Sequence, residues 1–148
     1  MRWIQAIAVA VLVAGAAIYL RDPPWIGGVT SGLRGWDGPP GERFRWTSGH
    51  ASFFVPSDTT AMTLPLKAVF PSVNGDPVSV DVSVDDRWLA TVKLPDPSVW
   101  VRQTLPLPRR PTPRRFRRID LRVSRTVGQF NRGVQLGEIG LARGGASQ

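Results

Sequence analysis

The sequence predicts an all-β protein, a two-sheet antiparallel sandwich or jelly roll of about eight strands, preceded by one N-terminal transmembrane helix. Three observations carry this. From Arg43 onward apolar residues recur with a period of two, the signature of half-buried strands. Gly, Pro and Asp punctuate those runs at short intervals, with no stretch between them that reads as an amphipathic helix. Ahead of them, Trp3 to Leu20 is free of charge for 18 residues.

That apolar run comes first in the chain. As a helix of ~1.5 Å rise per residue it covers roughly 27 Å, close to the hydrocarbon thickness of a bilayer. Arg2 precedes it, Arg21 and Asp22 follow it, and Trp3 and Tyr19 mark its ends, where amphipathic rings favour the interface. Residues 1–20 are therefore read as a membrane anchor contacting lipid through residues 3–20. A cleaved signal peptide is the alternative: Ile4 to Val13 would be its apolar core and Ala14-Gly15-Ala16 its cleavage region. Arg2 favours an inside N-terminus. The expected location is the inner or cytoplasmic membrane, single-pass, with the β domain on the periplasmic or extracellular side.

Residues 21–42 hold six glycines and four prolines and read as a Gly/Pro-rich linker, opened by the helix-stopping Pro23-Pro24. The β domain then spans 43–143, with a tail at 144–148. Phe44 and Trp46 start the first strand, followed by Ala51, Phe53 and Val55. Met62, Leu64, Leu66, Ala68 and Phe70 share one face of the next, although Pro65 points to an edge position or a bulge. Val78, Val80, Val82 and Val84 alternate with polar residues, Asp85-Asp86-Arg87 turns the chain, and Trp88, Ala90, Val92 and Leu94 return as a hairpin. Val99, Val101, Leu105 and Leu107 form a further run, then Ile119, Leu121 and Val123. Leu136, Ile139 and Leu141 come last, with a change of phase at Gly137-Glu138.

Composition narrows the chemistry. There is no cysteine, which removes disulfides and thiolate metal sites, and His50 is the one histidine. No GxSxG elbow, phosphate-cradling glycine loop or acidic calcium loop is present. The expectation is a protein without catalytic residues, cofactor or metal. The net charge of +8 is unevenly placed. Residues 1–100 carry 8 basic and 9 acidic side chains, a net −1, whereas 101–148 carry 11 and 2, a net +9. Such a field favours anionic partners. Nucleic acid is not expected, because aromatic interleaving in the basic stretch is limited to Phe116.

Several landmarks together form a recognisable pattern: Gly35-Trp36; the run from Glu42 through Trp46 to Ala51; the valine hairpin; Trp100; Ile119 to Ser124; and Leu136-Gly137-Glu138-Ile139-Gly140. This resembles the galactose-binding-like, carbohydrate-binding-module-like β-sandwich found as an accessory domain of bacterial envelope proteins. It covers roughly residues 35–143. The resemblance implies a non-catalytic module that binds carbohydrate or packs against a glycosyltransferase-type partner protein. The proline- and arginine-rich loop at 106–118 departs from the pattern.

Two groups of candidate site residues follow. Trp36, in the linker, and Trp100, out of phase with Val99 and Val101, are the candidates for sugar stacking; Trp46 and Trp88 share phase with core positions and are expected to be buried. Arg109, Arg110, Arg114, Arg115, Arg117 and Arg118 are candidates for an anion- or partner-binding loop, held extended by Pro111 and Pro113. The function expected is a membrane-anchored envelope module binding carbohydrate or a polysaccharide-handling enzyme. The alternative is an assembly subunit of a membrane complex that docks through the arginine-rich loop.

Overall fold

The computed structural model describes residues 2–144. The tail expected at 144–148 lies, Gly144 apart, outside the described residues. One helix, α1 (Arg2–Arg21), precedes nine strands: β1 (Ser31–Asp37), β2 (Phe44–Pro56), β3 (Thr59–Lys67), β4 (Val78–Val84), β5 (Arg87–Leu94), β6 (Val101–Pro106), β7 (Phe116–Val123), β8 (Gln135–Gly137) and β9 (Gly140–Arg143).

The strands form an antiparallel sandwich joined along a single hydrogen-bonding path, β5-β4-β7-β2-β8-β3-β6, with β1 on β2 and β9 on β3. The fold turns on the 13-residue β2. Its C-terminal half, His50 to Pro56, pairs with β7. Its N-terminal residues, Phe44 to Trp46, pair with β8 on the same edge. Between them the Thr47 N–H donates to the Val134 carbonyl at 2.9 Å, and its hydroxyl accepts the Val134 N–H at 2.9 Å. The strand thus passes from a first sheet, β5-β4-β7-β2, to a second, β8-β3-β6 with β9 on β3. The inner faces meet in one apolar cluster: Val78, Val80, Val82 and Val84, with Ile119 and Leu121, against Met62, Leu64, Leu66 and Leu136. All these residues are buried, as the alternation predicts.

Four details differ from the sequence reading. The presumed linker contains a 3₁₀ turn (Pro24–Gly28) and the strand β1. Glycine permits β1: Gly32 has φ +64°, and a Cβ there would fall 2.0 Å from the His50 carbonyl oxygen. Phe44 and Trp46 face outward, because Thr47, Ala51, Phe53 and Val55 hold the inward phase of β2. Trp88 also points out, 69% exposed. A register shift sets Ala90 opposite Val82 but Trp88 opposite Ser83, so Leu89 takes the inward place instead. Finally, the last run is two strands rather than one. β9 follows β3 from Thr59 to Thr63, β8 follows it at Leu66 and Lys67, and Pro65 lies at the break, where no N–H is needed.

Helix α1 is exposed from Trp3 to Arg21 and is long and apolar enough to cross a membrane.

Candidate functional site

The break beside Pro65 opens a cleft of ≈ 650 Å³ on the outer face of the second sheet. Pro65 and Gly137 lie side by side: a Cβ on Gly137 would come within 3.1 Å of the proline ring and 3.6 Å of Trp100, so glycine keeps the cleft open. Val101 pairs inward with Leu66, which turns the preceding Trp100 outward. Its indole is 37% exposed. Phe44 lies with its ring centroid 6.5 Å away, and the Lys67 ammonium sits 5.8 Å from the indole centroid. Glu42 and Arg43 come from the β1–β2 connection, Arg102 from β6 and Glu138 from the β8–β9 link. An apolar plate is thereby surrounded by two acceptor carboxylates and two guanidinium donors.

The loop ahead of Trp100 is fixed locally. The Asp96 carboxylate accepts the Ser98 N–H at 2.8 Å and its hydroxyl at 2.6 Å. The Ser98 hydroxyl and then its backbone N–H hold the Asp96 pKa below its ordinary value.

Trp36 does not join this site. It pairs with Arg45, which pairs with the inward Leu136, whereas Trp100 shares the outward face with Phe44 and Trp46. Trp36 is 53% exposed and carries the Arg45 guanidinium 5.6 Å from its ring centroid. That guanidinium is fixed by the Arg34 carbonyl, 2.5 Å from its Nε.

The six arginines separate into two groups. Arg109, Arg110 and Arg114 are exposed, and their side chains make no ion pair or hydrogen bond among the described residues. The other three are engaged. Arg115 places its Nε 3.6 Å from the Asp22 carboxylate, which also accepts the Arg115 N–H. Arg118 donates to Asp120 at 2.7 Å. Arg117 is 2% exposed, donates to Asp85 at 3.0 Å and to the Pro108 carbonyl at 2.8 Å, and is unavailable to any partner. Its place follows from β7 itself: the inward phase of Ile119 and Leu121, extended one step back, falls on Arg117.

A second cleft, ≈ 420 Å³, lies on the outer face of the first sheet. His50, the one histidine, sits there with Nε2 3.0 Å from Asp120. The Asp120 side chain is 8% exposed and its second oxygen is buried without a partner. Trp88 edges this cleft, its indole N–H donating to Thr91 at 3.4 Å. The strand register that assembles His50, Asp81, Trp88 and Asp120 from four strands leaves no local motif.

No protein-family model matches the chain, and no curated protein matches it. Among solved structures, the chain is similar to a family 35 carbohydrate binding module from an environmental isolate, with TM-score 0.45 and 14% identity over 77% of this chain and 88% of that one. It is also similar to parts of two larger proteins. One is a glycoside hydrolase family 43 arabinoxylan arabinofuranohydrolase from Bacillus subtilis, with TM-score 0.43 and 8% identity over 78% of this chain. The other is a family GH115 4-O-methyl-α-glucuronidase with specificity for decorated arabinogalactans, with TM-score 0.45 and 11% identity over 78% of this chain. The chain spans 24% of the length of the first and 17% of the second.

Proposed function

We propose that this chain is a membrane-anchored recognition module of the cell envelope that binds carbohydrate in the Trp100 cleft and performs no covalent chemistry. The observation that carries this reading is the composition of that cleft: one indole plate with Glu42, Glu138, Arg43 and Arg102 around it. A sugar ring presents C–H groups on its faces and hydroxyls at its edge. The plate suits the former and the alternating acceptors and donors suit the latter. The guanidiniums extend the fit to uronic-acid or otherwise anionic sugars. α1 serves as the single-pass anchor, in the inner or cytoplasmic membrane, with the β domain outside the cytoplasm. A polysaccharide-handling enzyme in the same membrane is the natural partner for such a module.

The test is a glycan array probed with the full chain in detergent micelles, followed by titration of the best ligand. Trp100→Ala is expected to weaken binding by roughly ten- to hundred-fold, the effect of removing an indole platform. Trp36→Ala, on the opposite sheet face, should leave affinity unchanged. Binding that survives Trp100→Ala, or no binding to any neutral or acidic glycan, would overturn the assignment.

A further inference from the structure

The residues that leave α1 do not swing free of the β domain. Asp22, one position beyond the helix, accepts the Arg115 N–H with both carboxylate oxygens at 3.1 Å, and its carboxylate lies 3.6 Å from the Arg115 guanidinium. The 3₁₀ turn that follows packs on the start of β7: a Cβ on Gly27 would come 2.4 Å from the Phe116 ring. The helix exit and the arginine-rich loop are therefore tied together, residue 22 to residue 115 and residue 27 to residue 116.

We propose that the loop bearing Arg109, Arg110 and Arg114 lies on the membrane that α1 crosses and binds anionic phospholipid headgroups. The proposal rests on the reading of α1 as a membrane span. If α1 crosses the bilayer, Arg21 stands at its interface and the Asp22 clamp fixes Arg115 at headgroup level. Arg114 is the next residue along that loop. The three guanidiniums are exposed and make no ion pair among the described residues, Asp58 lining the same cleft as Arg109 and Arg110 without pairing with them, whereas Arg115, Arg117 and Arg118 are each paired. Pro108, Pro111 and Pro113 keep the segment extended, so the charges spread over several headgroups. Trp25, 59% exposed in the adjoining 3₁₀ turn, supplies the kind of ring that settles at a lipid–water boundary. A guanidinium pairs with a phosphodiester through two parallel hydrogen bonds, and an anionic surface attracts such groups within about 10 Å at moderate salt. An acidic protein or glycan offers the same charge, but only the lipid surface is placed beside the loop by the helix exit itself.

The absence of cysteine permits a clean test. Full-length chain carrying Pro111→Cys, labelled with a fluorophore, is reconstituted into vesicles containing a headgroup-linked quencher. One set is rich in phosphatidylglycerol and the other is wholly zwitterionic. Flotation first establishes that the chain is integral. The label should be quenched several-fold more in the anionic vesicles. High salt, or R109S with R110S and R114S, should erase the difference. At roughly five-fold per guanidinium, the three together shift the docked-to-undocked ratio on the order of a hundred-fold. A chain that does not float with vesicles overturns the anchor reading and this proposal together. A chain that floats but is quenched equally in both lipids overturns this proposal alone, and leaves the arginines to an acidic protein or glycan.

Discussion

Asp96 shows how one side chain places another. Its carboxylate takes two hydrogen bonds from Ser98, two residues before Trp100, and those bonds lower its pKa from the ordinary 3.8. A carboxyl with a depressed folded pKa contributes stability above its unfolded value, and loses it as pH falls through the folded one. The turn should therefore remain intact at neutral pH and loosen only below about pH 3.8, which an NMR titration of the Asp96 carboxyl carbon would read directly. Ser98→Ala, which keeps the backbone bond, should move that titration part of the way up toward 3.8 and weaken carbohydrate binding modestly by loosening the turn before Trp100; an unmoved titration would mean that the hydroxyl bond does not form in solution. Arg117 makes a second residue-scale case. Arg117→Ala leaves a void and an orphaned Pro108 carbonyl, and should cost about 2–4 kcal/mol in denaturant unfolding. Arg117→Met, which refills the volume, should cost markedly less. The phase of Val101 places Trp100 outward, as the sequence reading had it; the phase of β7 puts Arg117 inward, a signal that the sequence reading passed over when it assigned Arg117 to the anion-binding loop. Glu42 and Glu138 were not legible, because they meet Trp100 only through tertiary folding, from connections far apart in the chain.

At the scale of elements, β2 does the most. Its inward phase runs unbroken from Thr47 to Val55, while its edge partner changes from β7 to β8. The change works because the 133–134 backbone fits tightly against Thr47. A Cβ on Gly133 would come 2.6 Å from the Thr47 hydroxyl oxygen and 2.9 Å from the Ser48 carbonyl oxygen. Gly133→Ala should therefore destabilise the domain by about 1–3 kcal/mol, since backbone, unlike a flexible side chain, gives way poorly. A thermal melt unchanged from the parent would show that the switch is looser than its contacts. Strands with clean alternation, β3 and β4 above all, were readable from sequence. β1 was hidden by its glycines, and β5 was misphased at Trp88 because a bulge leaves no residue signature of its own. The double origin of the last run was signalled only by the phase change at Gly137-Glu138. That same change opens the Trp100 cleft, so the least regular part of the strand pattern coincides with the candidate site.

At the scale of the molecule, one hydrogen-bonding path links both sheets and one apolar cluster fills the space between them. Neither sheet has a core of its own. The Met62, Leu64 and Leu66 face of β3 is buried only because the valines of β4 and the Ile119 and Leu121 face of β7 cover it. Unfolding of the β domain should then be a single cooperative event, with α1 outside it. Leu121→Ala, in β7 between β4 and β2, should cost about 2–5 kcal/mol. Because the cluster is shared, the loss should appear in full at amides two strands beyond β2. Native-state hydrogen exchange should show β3 and β6 losing as much protection as β4 and β7, although residue 121 makes no backbone contact with β3. α1 amides in a bilayer should be unchanged, since their hydrogen bonds close within the helix. Loss confined to β4, β5 and β7 would mean that β2 joins two separately stable sheets. In that case its passage between them would be a hinge, and ligand seated at Trp100 on the second sheet would leave the His50 cleft on the first untouched. Equal loss in both sheets would instead mean that any ligand stabilising the Trp100 cleft also stiffens the strand that carries His50.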